Sequence, residues 1–538
     1  MKVVALGDSV TLSYGNKRSP WISHSWPKIL ERILSSQLGE YVEVVNSGVG
    51  GDTTRRVIER LDKDVFQYEP DILLIMFGLN DALNIYRSIS VEEYENNLRT
   101  IIELASYRGI KAILMTPNPV TEKYIRYENG KSLKKLYLYV ERVRKIAEDL
   151  RIPLIDIFKL FSEDDFYRDR LYDGVHPDYT GQSILASYIA HSLLNIKGCK
   201  TVKVRLHDLI TVWADGMYNA FTDMIEWKGK YYITFRQGTH HFIPDAPDGK
   251  IIIVSSNDLK KWEKVAVLEV KGWDARDPKF LAFKDKLFLY TQSWSPEKRI
   301  HETFVFYTED GFKWRGPFDC GEQVFWRPRI YKNKAYVVAY HPSKRGAWEG
   351  DVTRKMQIDL LETSDGIHWS KVTTMHRGNF VNETDILFIG DEALALARVE
   401  EWPRKTLILK SKYPFREWSV HVTNETLQCP LLLNYKGEIF ALGRIYTMST
   451  KDKPFLPEFA RTALFHLKNN MLKLLFEFPS AGDNAYPGAV FLPSEKIAIS
   501  YYSSHEKYVN EVDTVNRYRG FIRDYAPNIY LAIFSLNF

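Results

Sequence analysis

Ser9 closes the first apolar run of the chain, Lys2-Val3-Val4-Ala5-Leu6-Gly7-Asp8-Ser9, and Asp173 and His176 follow in Asp173-Gly174-Val175-His176-Pro177. A serine hydroxyl is a weak nucleophile at neutral pH and needs an imidazole to take its proton. The imidazole needs a carboxylate to fix its tautomer and stabilise its charged form. An Asp and a His three residues apart can share one turn and meet a serine delivered by a distant strand. The chemistry open to such a trio is acyl transfer, which with water as acceptor is ester hydrolysis without a metal.

Two more segments join these in chain order: Gly48-Val49-Gly50-Gly51-Asp52-Thr53 and Gly78-Leu79-Asn80-Asp81. Each follows an apolar run and opens a helical pattern. Alone, Gly-Asp-Ser is a common turn, Asp-x-x-His a helix cap with a surface histidine, and Asn-Asp a turn. Four in order, each at a strand end, point to one catalytic edge. Asp81 and Trp26 read as structural.

Stepping outward, residues 1–198 alternate short apolar strands with helical patterns. Val3–Leu6, Val42–Val45, Ile72–Phe77, Ala112–Thr116 and Leu154–Ile155 suit buried parallel strands. Trp26–Leu38, Thr53–Lys63, Val91–Tyr107 and Lys131–Leu150 read as helices, and Gly181–Ile196 as a last helix with Thr180 as its N-cap. This alternation predicts a doubly wound α/β parallel sheet. All four segments then lie at the carboxyl edge of the sheet, where ligands bind.

From about residue 204 the pattern changes to short strands, turns and many aromatics. Polar tips recur at Lys228-Gly229, Lys284-Asp285, Lys332-Asn333, Gly390-Asp391, Lys436-Gly437 and Ser494-Glu495, each feeding a strand. Asp258…Trp262, Asp310…Trp314 and Asp365…Trp369 mark a second kind of turn between them. Six units over residues 204–538 give roughly 56 residues each, the size of a four-stranded blade. The expected architecture is a multidomain chain: residues 1–198 as α/β and residues 204–538 as an all-β six-bladed propeller.

The first half resembles the SGNH (GDSL-type) hydrolases over nearly all of residues 1–198. The resemblance implies Ser9 as nucleophile and first oxyanion donor, His176 as base and Asp173 behind it. It gives Gly51 a backbone N–H, and Asn80 a side-chain amide, aimed at the oxyanion. The full Gly-x-Ser-x-Gly of other α/β-hydrolases is absent, since Thr11 stands at its last position. The second half resembles sialidases and related six-bladed glycosidases through Asn382-Glu383-Thr384-Asp385, Arg398, Arg461 and Ala485-Tyr486-Pro487-Gly488. That resemblance implies Tyr486 as nucleophile activated by Glu383, with Asp248 or Asp245 as acid and Arg398 holding a substrate carboxylate. The usual Arg-Ile-Pro start of those enzymes is replaced by Asn219-Ala220-Phe221-Thr222-Asp223. Arg236, Arg398 and Arg444 share one strand position in three units and would suit an acidic sugar. The competing reading pairs these arginines with neighbouring acids.

Composition excludes several classes. The 73 basic and 68 acidic residues leave a net charge of only +5, with no basic run beside a stacking platform, so nucleic acid is not an expected partner. Cys199, Cys320 and Cys429 form neither a CxxC motif nor an even framework, and they read as reduced thiols. His240-His241 lacks a spaced third ligand, so no metal or other cofactor is expected. No run of about 18 apolar residues spans a membrane, and Met1-Lys2 does not open a secretory signal. A cytoplasmic location is the expectation. The expected activity is deacylation, above all deacetylation, of carbohydrate, beside a propeller that binds or processes glycan. The alternatives are an active exo-glycosidase propeller and a non-catalytic interaction module. The expected partner is an acylated carbohydrate or another small ester.

Overall fold

A computed structural model describes residues 1–13, 24–241, 245, 247–341, 357–447, 459–506 and 526–538. Contacts divide the chain into one unit of Met1–Arg205, Leu474–Pro479 and Leu536–Phe538, and another of Leu206–Lys473 and Ser480–Ser535.

In the first unit five parallel strands lie in the order β2-β1-β3-β4-β5, where β1 is Lys2–Gly7, β2 Glu43–Gly48, β3 Ile72–Met76, β4 Lys111–Met115 and β5 Leu154–Ile155. β1 is an interior strand, between β2 and β3, and its residues Val3, Val4, Ala5 and Leu6 have no exposed surface, as a strand covered on both faces requires. The chain passes from β1 to β2 on one side and then to β3 on the other. The carboxyl ends of β1 and β3 therefore flank the point where the strand order reverses. Helices Trp26–Leu38, Val91–Tyr107, Lys131–Leu150 and Tyr179–Ile196 occupy the expected places. Two local expectations are corrected. The last helix is capped by Asp178, whose Oδ1 accepts the Gly181 N–H at 2.8 Å, so Thr180 lies inside it. The span Thr53–Lys63 is two short helices, Thr54–Ile58 and Leu61–Asp64. Between them Arg60 reaches the carboxylates of Asp52 and Asp64 and the Ser47 carbonyl, bonds that hold the chain in a non-helical turn.

The second unit is a six-bladed propeller of antiparallel sheets. The strands that begin at Asp274, Tyr218, Ala485, Gln428 and Val381 pack one against the next in that order, and so these first strands of five blades line the axis. Five blades are built from consecutive strands, beginning at Tyr218, Asp274, Val324, Val381 and Gln428. The sixth consists of Ala485–Leu492, Lys496–Ser503, Asn528–Asn537 and, as its outer strand, Lys203–Trp213. A strand from before the first blade thus completes the last one and closes the ring. The Asp turns form as expected: the Oδ1 atoms of Asp258, Asp310 and Asp365 each accept two backbone N–H groups. Among the described residues no helix is long and apolar enough to cross a membrane.

Candidate active site

Strand ends deliver each member of the Ser–His–Asp trio. β1 stops at Gly7, and Asp8 starts the one-turn helix Ser9–Leu12 by accepting the Val10 N–H at 2.9 Å. The end of β2 packs beneath this helix. A Cβ on Gly48 would fall 2.1 Å from Leu12 N, so only glycine allows the approach. Gly174 has φ 86°, and a Cβ there would fall 2.2 Å from Tyr124 N. Its carbonyl accepts the Thr121 N–H at 2.9 Å, and the Val175 carbonyl accepts the Asn118 amide at 2.8 Å. The segment after β4 therefore clamps the Asp173–His176 turn.

Within that turn Asp173 Oδ1 accepts the N–H groups of Val175 at 3.0 Å and His176 at 2.8 Å. Its Oδ2 is left for the ring, 2.8 Å from His176 Nδ1. His176 Nε2 lies 2.9 Å from Ser9 Oγ. The hydroxyl, imidazole and carboxylate form one continuous chain of hydrogen bonds. Burial favours neutral forms of both titrating partners, yet their mutual bond and charge outweigh it. The net effect lowers the Asp173 carboxyl below its usual range and raises His176 above its own. This arrangement can take a proton from a serine and hold the resulting imidazolium.

Asn80 stands at the end of β3, and its side-chain amide donates to Asp8 Oδ2 at 3.3 Å. The link to Asp8 was missed in the sequence reading, although Asp8 belongs to the Gly-Asp-Ser motif. Asp8 is buried, and its carboxyl is pushed up to about 7, chiefly by desolvation, with the Val10 N–H and His176 acting against this. Gly51 has φ 70° and its carbonyl takes Arg87 Nη1 at 2.8 Å. Trp26 Nε1 donates to the Val10 carbonyl at 3.1 Å, and Asp81 Oδ1 accepts from Thr54 N at 2.8 Å and Thr54 Oγ1 at 2.6 Å. Both contacts brace the catalytic edge, in line with a structural role.

In the propeller the second set of expected residues divides into separate groups. Tyr486 donates to Glu383 Oε1 at 2.5 Å, and Arg398 Nη1 lies 2.8 Å from the same oxygen. Arg444 Nη2 pairs with Asp483 Oδ1 at 2.8 Å, and its guanidinium carbon is 5.6 Å from the Tyr486 ring centre. Arg236 is fully buried against Asp274 at 2.8 Å and Asp248 at 3.2 Å. Arg461 donates to the Ala460 carbonyl at 2.6 Å. Asp245 is exposed, 3.9 Å from Arg299. Arg236, Arg398 and Arg444 each meet a carboxylate of the chain itself. Among the described residues no group of His, Cys, Asp and Glu is arranged to hold a metal ion.

Residues 5–184 match the GDSL-like lipase/acylhydrolase family. An uncharacterized lipoprotein YqeF of Bacillus subtilis is 33% identical over 182 residues, which are 30% of this chain and 73% of that protein. An arylesterase of Vibrio mimicus is 28% identical over 195 residues, 36% of this chain and 88% of the relative. An acetylxylan esterase of Geobacillus stearothermophilus is 30% identical over 156 residues, 27% of this chain and 69% of the relative. A parallel α/β sheet with a Ser–His–Asp chain at its carboxyl edge defines a serine hydrolase class. The chain belongs to the GDSL-like lipase/acylhydrolase family, and its α/β domain is an ester hydrolase.

Proposed function

We propose that this protein is a serine esterase that removes short acyl groups, acetyl foremost, from carbohydrate, with residues 1–198 as the catalytic module and 204–538 as a glycan-handling module. The observation that carries the ester chemistry is the unbroken chain from Ser9 Oγ through His176 to Asp173, with contacts of 2.9 and 2.8 Å. Ser9 attacks the acyl carbon as His176 Nε2 takes its proton. Asp173 holds the imidazolium from the Nδ1 side. The N–H groups of Ser9 and Gly51 and the Asn80 amide bind the oxyanion. Asp8 occupies one N–H of the Asn80 amide and leaves the other for this task. His176 then returns the proton to the leaving alcohol, and a water molecule repeats the sequence on the acyl-enzyme.

An acylated sugar is supported by the acetylxylan esterase among the relatives. The test is acetate release from acetylated xylo-oligosaccharides compared with p-nitrophenyl acetate and a long-chain p-nitrophenyl ester. Preference for the acetylated sugar in kcat/KM supports the assignment; preference for the long-chain ester refutes it. Asn80→Ala is expected to lower kcat about 10²–10³-fold with a smaller change in KM, because the lost donor acts on the transition state. A rise in KM with kcat unchanged would remove Asn80 from the oxyanion site.

A second reading rests on the Tyr486–Glu383–Arg398 contacts. Arg398 Nη1 pairs with Glu383 Oε1, and the same oxygen receives the Tyr486 hydroxyl. A phenol so paired can act as a nucleophile, which would make the propeller an exo-glycosidase; the pairing of Arg236, Arg398 and Arg444 with carboxylates of the chain removes the ground for choosing an acidic sugar.

A further inference from the structure

Asn80 lies in the first turn of the helix Leu79–Leu83, which starts from Gly78. Gly78 has φ 132°, and a Cβ there would fall 3.0 Å from the Pro117 ring and 3.1 Å from the Tyr94 hydroxyl. That hydroxyl donates to the Phe77 carbonyl at 2.9 Å, and the Asn80 carbonyl accepts the Asn84 N–H at 3.1 Å. The main chain of Asn80 is therefore held from both sides. Its side chain is held at one point: among the described residues its amide has a single hydrogen-bond partner, Asp8 Oδ2 at 3.3 Å. The two ends of an amide have nearly the same shape, and the torsion that exchanges them is broad and roughly two-fold. Packing thus does little to choose between the N–H and the carbonyl oxygen, whereas an oxyanion is stabilised by the N–H alone. The choice falls to the hydrogen bond with Asp8.

Asp8 is fixed from its own side. It is only 2% exposed, and its Oδ1 accepts the Val10 N–H at 2.9 Å as the cap of the helix Ser9–Leu12. That helix is pressed against the end of β2 at Gly48, and its Val10 carbonyl accepts from Trp26 Nε1 at 3.1 Å. With Oδ1 committed to the turn that carries Ser9, Oδ2 is left as the acceptor facing Asn80. One carboxyl group therefore spans the nucleophile's turn, at the end of β1, and the amide at the end of β3.

We propose that Asp8 is the positioning residue of the oxyanion site: by accepting one N–H of the Asn80 amide it fixes which end of that amide faces the substrate and sets it in register with Ser9. This rests on the reading of Asn80 as an oxyanion donor. Asp8 acts through Asn80 and exchanges no proton with the substrate. An acceptor at this point holds Nδ2 in place. A donor at the same point would set N–H against N–H, and Asn80 would relieve the contact by turning its oxygen toward position 8. That turn takes Nδ2 away from the oxyanion.

The experiment compares Asp8→Asn and Asp8→Ser in the full chain, with p-nitrophenyl acetate as substrate. Asparagine and serine cap helices about as well as aspartate, so both variants keep an acceptor for the Val10 N–H and should melt near the wild type. The charge of Asp8 also raises the His176 pKa, so kcat is read on the plateau of the pH profile, where the imidazole is neutral in every variant. Asp8→Asn, which turns the amide, is expected to lower kcat about 10²-fold with little change in KM. Asp8→Ser, which only frees the amide, should lower it less. When Asn80→Ala is added to either change, kcat should match that of Asn80→Ala alone, because the group that Asp8 positions is gone. An unchanged kcat in a folded variant, or a loss confined to KM, overturns the role of Asp8. So do losses that multiply in the double variants, since an effect of charge on the imidazolium or of the Ser9 turn itself survives the removal of Asn80. If Asn80→Ala alone leaves kcat unchanged, the oxyanion reading of Asn80 falls, and the role of Asp8 falls with it.

Discussion

Replacing Ser9 with alanine is expected to lower kcat/KM for p-nitrophenyl acetate by a factor on the order of 10⁴ or more. The size follows from the proposed mechanism, because no other group in the chain of contacts can form the acyl-enzyme. The fold should be unaffected. The helix cap at this position is the Asp8 side chain binding Val10 N, and the Ser9 carbonyl continues to accept the Ser13 N–H at 3.0 Å. The side chain of Ser9 contributes its contact with His176 Nε2 at 2.9 Å, and alanine removes that alone. Two readouts check this. Hydrolysis of p-nitrophenyl acetate should fall by that factor, and a fluorophosphonate probe that labels the wild type should not label the variant. Full activity in a well-folded Ser9→Ala protein would eliminate Ser9 as the nucleophile.

The catalytic edge was legible in the sequence because its residues sit in short motifs at the ends of apolar runs. Period and punctuation alone place Ser9, Gly51, Asn80 and the Asp173–His176 turn on one side of a parallel sheet. What joins these motifs is less visible. The bond from Asn80 to Asp8 spans 72 positions, and no local pattern announces it. Asp178 and Thr180 are both capping residue types, and only the bond to Gly181 N decides between them. In the propeller the turn chemistry of the tips and of Asp258, Asp310 and Asp365 made six units countable. Ring closure depends on Lys203–Trp213 pairing with Asn528–Asn537, strands more than 300 residues apart, so it was invisible locally. The shared strand position of Arg236, Arg398 and Arg444 was also legible, but their partners were not. Each carboxylate comes from a bulge, turn or adjacent strand that the fold alone brings near.

Asp173→Asn should reduce the plateau of kcat by about 10⁴-fold and move the acid limb of the pH profile to lower pH. The two effects have different origins. In the wild type His176 must be neutral to accept the Ser9 proton, so activity is lost as pH falls through the His176 pKa. That pKa is raised above the ordinary 6.5: burial lowers it, but the Asp173 hydrogen bond and charge more than offset the burial. Asparagine removes both raising causes and leaves the burial, so the imidazole stays neutral to lower pH. An amide that donates to Nδ1 moves the ring proton to Nε2, where it blocks acceptance from Ser9, and the plateau therefore falls although more of the histidine is neutral. The turn itself should survive, because the asparagine oxygen can still accept from Val175 N and His176 N as Asp173 Oδ1 does at 3.0 and 2.8 Å. Stability should change in a pH-dependent sense. Asp173 has a lowered carboxyl pKa, so its contribution is present above the unfolded-state value of about 3.8 and is lost as pH falls through the folded one. His176 has a raised pKa, so its contribution is present below 6.5 and is lost as pH rises through the folded value. The difference in melting temperature between wild type and Asp173→Asn should therefore be greatest where the acid is ionised and the histidine is still charged, and it should shrink on either side. A pH–rate profile with an unmoved acid limb would show that a group other than the His176–Asp173 pair controls the reaction.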